Sequence, residues 1–72
     1  PMVIKKDGQR QPFDTEKLRS GILKACEKRP VSMEQIDHVV DVVMKKVLEG
    51  LHKEIPSIKV GDFVMEELKA ID

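Results

Sequence analysis

The dipeptide Asp7-Gly8, set between short runs at residues 3–6 and 9–13, constrains this chain more than any other feature. Such a pair readily takes φ > 0 at both centres of a two-residue hairpin turn, and glycine does so without steric strain because it has no Cβ. A two-residue loop sets Lys6 opposite Gln9, Lys5 opposite Arg10, Ile4 opposite Gln11 and Val3 opposite Pro12. Lys5, Lys6 and Arg10 then crowd one end of a small ribbon, and Lys17 sits in the first turn of the next helix. Like charges held together are unfavourable unless an anion or a carboxylate answers them. Two readings follow. The cluster is a solvated hairpin surface with scattered lysines, or it is a phosphate site in which Lys5, Lys6 and Lys17 act as point charges.

A chain of 72 residues has room for one domain, 1–72. A domain of this size buries only about 60% of the surface its unfolded form exposes, so the core is thin. Thirteen basic and thirteen acidic residues cancel, which argues against a general polyanion binder. Two Phe, with no Tyr or Trp, make no stacking platform for single-stranded nucleic acid. Cys26 is alone, so the chain forms no disulfide framework and no cysteine-rich zinc site, and a reducing, cytoplasmic setting is expected. No signal-peptide core is present, and no apolar run approaches the roughly 18 residues of a membrane span.

Three helical segments follow the hairpin. Asp14 is the expected N-cap of the first, which carries Leu18, Ile22, Ala25 and Cys26 at spacings of three and four and stops near Lys28 or Arg29, ahead of Pro30. Gly21 inside it suggests a close approach by another group. Ser32 and Gln35 spell a capping box for the second helix, with Val31 and Ile36 as its hydrophobic staple. Its stripe is Ile36, Val39, Val40, Val43, Val47, Leu48 and Leu51. β-Branched residues lose rotamer freedom in helices, but the period is 3.6 and not 2, so packing is expected to win. Gly50 marks the fraying end. Residues 54–57 are extended around Pro56 and offer a third strand to the hairpin edge. Ser57 is the expected N-cap of a third helix bearing Val60, Phe63, Val64, Leu68 and Ile71. The class is α+β, a small hairpin or three-stranded lid over a helical bundle.

Chemistry is sparse. There is no GxxxxGK[ST] or GxGxxG loop, so phosphate binding would rest on side-chain cations. His38 and His52 have no second ligand at metal spacing. Ser20, Ser32 and Ser57 have no nearby histidine with an orienting third group, and Cys26 continues an apolar stripe. No enzyme is expected.

With those residues in view, VIKKDGQRQPFDTEKL resembles the opening of an ATP-cone, the allosteric nucleotide-binding module at the start of ribonucleotide reductase large subunits. GILKACEKRPVS and EIPSIKVGDFVMEELKAID resemble one branch closely: the cone of the NrdR family of bacterial repressors of ribonucleotide reductase genes. The resemblance spans essentially the whole chain. It implies a β lid over helices, ATP or dATP between them with Mg²⁺ on the phosphates, and nucleotide control of oligomeric state and operator binding. By motif position it places Val3, Lys5 and Lys6 as hairpin contacts, the lysines on phosphates. Gln11 and Asp14 stand at polar positions near the nucleotide, and Lys17 at the helix lysine that reaches phosphate. Ser57 and Gly61 match positions approaching the base, where a residue without a side chain lets a flat ring lie on the backbone.

The same resemblance implies a chain lacking the family's N-terminal zinc ribbon, and with it direct DNA binding and zinc. It also implies a missing final helix. The expected consequences are partly uncovered stripes at residues 18–26 and 60–71, self-association or loose packing, and weaker nucleotide binding than in a full cone. The alternatives are the cone of a reductase large subunit, a helical self-association module without nucleotide, and a small DNA-binding helical domain.

Overall fold

The computed structural model describes residues 1–50 and 54–71, so the expectations for Leu51 and His52 lie outside the described residues. The order is β1 (Met2–Ile4), β2 (Arg10–Pro12), α1 (Thr15–Ala25), α2 (Met33–Glu49), β3 (Glu54–Pro56) and α3 (Ser57–Ile71). The strands form one mixed sheet in the order β2-β1-β3, with β2 antiparallel and β3 parallel to β1. This is the α+β lid-and-bundle architecture that the sequence implies.

The hairpin register differs from the two-residue expectation. Met2 pairs with Pro12, Val3 with Gln11 and Ile4 with Arg10. Lys5 N–H donates to the Gln9 carbonyl at 2.8 Å, and Gly8 N–H donates to the Lys5 carbonyl at 2.9 Å. The loop is therefore three residues, Lys6-Asp7-Gly8, with Gly8 left-handed at φ 86°. Asp7 Oδ1 accepts from Gln9 N–H at 3.0 Å and stiffens it. A turn closed by a left-handed glycine is the next-best hairpin solution after the two-residue turns. Its consequence is large, because a one-residue slip moves side chains to the opposite face.

Val3, Gln11 and Ile55 share a register line and face the helices. Ile55 is buried and Val3 packs on the core. By strand alternation, Arg10 and Glu54 lie on the outer face. There they form an ion pair at 2.9 Å across β1.

The helix starts follow local chemistry. Asp14 sits in extended conformation, and its Oδ1 accepts from Glu16 N–H at 2.9 Å and Lys17 N–H at 3.5 Å. The Ser32–Gln35 box is complete: Ser32 N–H donates to Gln35 Oε1 at 2.9 Å, and Gln35 N–H donates to Ser32 Oγ at 3.1 Å. Ser32→Ala should therefore cost about 1 kcal/mol, read as a melting temperature roughly 4–8 °C lower. α1 ends earlier than expected, at Ala25, because the chain turns at Cys26: Arg29 N–H donates to the Cys26 carbonyl at 3.0 Å. Pro30 is an outer limit that the helix does not reach. α3 begins at Ser57 itself, so serine fills the first helical position and not the cap.

α2 is the central helix and packs against both α1 and α3. Val39 and Val43 are fully buried and Val47 is 1% exposed, so burial outweighs the poor helix propensity of valine. Ile22, Cys26, Ile36, Val40, Ile55 and Leu68 complete the buried core. Leu48 departs from its expected place at 56% exposure; Val47 takes the core position and Leu48 is one residue further round. Ala25 is exposed, and among the described residues a Cβ added at Gly21 would meet nothing from outside its own helix turn within 4 Å, so the expected close approach is not made there. Leu18, Val60, Phe63, Val64 and Ile71 are half-buried, while Ile58 and Met65 stand out on α3 at 66% and 53% exposure.

Ion pairs tie the helices from outside: Arg19 to Asp37, and Lys46 to Glu66 and Glu67 at 3.2 and 3.5 Å. The Glu66 hydrogen bond, with the charges of Glu66 and Glu67, holds Lys46 above the ordinary lysine value of 10.5 against a weaker desolvation. A raised lysine pKa favours the fold below its unfolded value and is lost only as pH rises through the higher one, so this tie is unaffected near neutrality.

Candidate functional site

The topology explains which candidate residues meet. β1 and β3 run parallel, so both C-terminal ends emerge at one end of the sheet. Lys5 and Lys6 leave β1 there, and Ser57 starts α3 beside them. These three, with Ile4, Pro56 and Ile58, line a concavity of about 160 Å³. The first turn of α3 carries no acidic residue. A helix N-terminus presents unpaired N–H groups and a partial positive charge, so two lysines and a serine hydroxyl at this point form a favourable anion address.

The other candidates gather elsewhere. β2 returns antiparallel and delivers the chain to the opposite end of the sheet, about 10 Å away at strand rise. Gln11, Asp14 and Lys17, with Phe13, Thr15 and Glu16, line an open concavity of about 540 Å³ at the start of α1. Lys17 therefore does not share a pocket with Lys5 and Lys6. The link between the two is the Val3–Gln11 cross-strand pair on the helix-facing side of the lid. Asp14 is partly committed, since its Oδ1 caps α1. Gly61 is exposed on α3 and lines neither concavity, and the space over its Cα is open.

Arg10 leaves the cluster altogether. It pairs with Ile4, not with Lys5, and Glu54 answers its charge on the outer face. With 62% and 39% side-chain exposure the pair is worth less than about 1 kcal/mol. Arg10→Ala is expected to change Mg·ATP affinity less than about fivefold, measured by calorimetry, in contrast to the lysines.

Thr15 and Pro56 also line the concavities, though nothing in the sequence marks either as a site residue. Thr15 Oγ1 reaches Met44 Sδ at 3.7 Å and so fixes the start of α1 on α2. Its only signal was its place after the capping aspartate. For Pro56 the sequence signals only extended backbone. Cys26 is buried, as its place in the stripe implied. Among the described residues no group of three or more His, Cys, Asp or Glu side chains converges on a metal position. None of the described helices is long and apolar enough to cross a membrane.

A three-stranded sheet over a helical bundle, with Lys5, Lys6 and Ser57 together at one end of it, is an α+β arrangement of the ATP-cone type. Residues 1–72 match the family model described as "ATP cone domain", and the chain belongs to that family. It is 56% identical over 72 residues to a protein named "Transcriptional repressor NrdR" from Geotalea daltonii, covering all of this chain and 48% of that protein. The protein of the same name from Geotalea uraniireducens is 57% identical over the same coverage. That from Symbiobacterium thermophilum is 48% identical over 71 residues, 99% of this chain and 47% of its own. The chain thus spans about half the length of the curated relatives it matches.

Proposed function

We propose that this chain is the adenine-nucleotide-sensing domain of a transcriptional repressor of ribonucleotide reductase genes, and not an enzyme. ATP or dATP lies under the lid along the Val3–Gln11 line. Lys5 and Lys6 hold phosphates at the α3 end, Lys17 reaches them from α1, Gln11 and Asp14 supply polar contacts, and Ser57 and Gly61 approach the base. Mg²⁺ is carried on the phosphates. Nucleotide choice changes self-association, and through it DNA binding by a zinc ribbon elsewhere in the bacterial, cytoplasmic protein.

The observation that carries this reading is the meeting of Lys5, Lys6 and Ser57 at an α3 start free of acidic residues. The relatives favour a repressor over a reductase subunit, since those above carry the repressor name. Exposed Ile58 and Met65 supply apolar surface for self-association. Calorimetric titration with ATP and dATP, each with Mg²⁺, tests the reading, together with light scattering before and after nucleotide. Saturable heat and a nucleotide-dependent change in mass are expected. Duplex binding by this chain with a steep salt slope would support the DNA-binding alternative instead.

A further inference from the structure

Pro56 also lines a third pocket, more enclosed than either of those above and holding about 180 Å³. Its walls are mostly apolar: the Phe63 ring, Ile55 and Pro56. Lys46 and Lys59 stand over the Phe63 ring with Nζ at 5.6 and 6.0 Å from its centroid.

The charges around it are unequal. Lys46 is held by Glu66 and Glu67, and Glu54 is held by Arg10. Lys59, among the described residues, has the ring contact and no carboxylate partner. Among the described residues, the pocket therefore presents an aromatic floor, an aliphatic wall and, in Lys59, a cation at its rim with no carboxylate partner. An apolar cavity of about 150 Å³ suffices for benzene, so the volume suits a single ring.

We infer that this pocket binds a small aromatic anion, its ring against Phe63 and Ile55 and its carboxylate on Lys59. Aromatic rings favour offset or edge contact with one another, and a carboxylate beside Lys59 supplies the charge it lacks. The site shares only Pro56 with the lysine concavity, so it stands whether or not nucleotide binds there.

The test is an NMR titration of the protein with benzoate, with benzyl alcohol (ring without charge) and acetate (charge without ring) as comparisons. Benzoate should give saturable shifts at the Phe63, Ile55 and Lys59 side chains in the millimolar range expected for so small a ligand, with a benzoate affinity that added Mg·ATP does not change. Acetate should give none that saturate. Lys59→Gln, a change at an exposed position that leaves the core intact, should weaken benzoate roughly three- to fivefold and leave benzyl alcohol unchanged. The inference is overturned if benzoate does not saturate or if acetate reproduces its shifts. It is equally overturned if Lys59→Gln has no effect on benzoate, or if the shifts centre on Lys5 and Lys6 and vanish with Mg·ATP.

Discussion

Replacing Lys5 and Lys17 together by alanine is expected to lower the affinity for Mg·ATP by more than tenfold, while each single variant loses less. Hydrogen bonds and ion pairs to charged groups contribute roughly 1.5–3 kcal/mol each. Both lysines are exposed, so solvent screening pulls the expectation toward the lower end of that range. The two belong to different concavities at opposite ends of the lid. Their losses should therefore be close to additive if one extended triphosphate engages both. A loss confined to Lys5 would place the phosphates at the α3 end alone. A loss confined to Lys17 would place them at α1. Arg10→Ala is the internal comparison: the same charge is removed from the same hairpin, but from the outer face.

Ile22→Ala should remove a large share of the protein's stability. Ile22 is 2% exposed and lies in the core cluster with Val39 and Val43 of α2. Removing its buried carbons costs about 2–5 kcal/mol through lost transfer energy and the cavity left behind. Total stability at this length is on the order of 4–11 kcal/mol. At about 4–8 °C per kcal/mol, thermal unfolding monitored by circular dichroism should shift downward by ten degrees or more. Ser32→Ala, which touches only the cap of α2, should shift it far less. Equal shifts for the two would mean that Ile22 is not as enclosed as it stands here.

What could be read from the residues was local. Asp14 and Ser32–Gln35 announced their helices because a cap needs only the next three amides. The valines of α2 resolved by period, and burial at Val39, Val43 and Val47 bears out that packing outweighs propensity. The hairpin was legible but its register was not. Asp7-Gly8 serves a two-residue or a three-residue loop equally well, and Gly8 is left-handed in both. That single ambiguity carried Arg10 from the lysine cluster to the outer face, where Glu54, distant in sequence, was waiting for it.

The site was legible in residue type and not in grouping. Lys5, Lys6 and Ser57 come together because β3 runs parallel to β1, and no spacing in the sequence fixes a strand direction across fifty residues. The separation of Lys17 has the same origin, since the return of β2 sets α1 at the far end of the lid. Leu48 shows the reverse limit: it fits the helical stripe, yet the core is already closed by Val47.

The most direct measurement follows the lysine side-chain ammonium and α3 first-turn amide signals during titration with Mg·ATP, in the longest form of the protein that contains these residues. Saturable changes at Lys5, Lys6 and Lys17 and at residues 57–60, with one common affinity, are the expected result. Bound or added nucleotide that leaves those groups unmoved would contradict the triphosphate site, and the lid would then be only a cationic surface on a small helical scaffold.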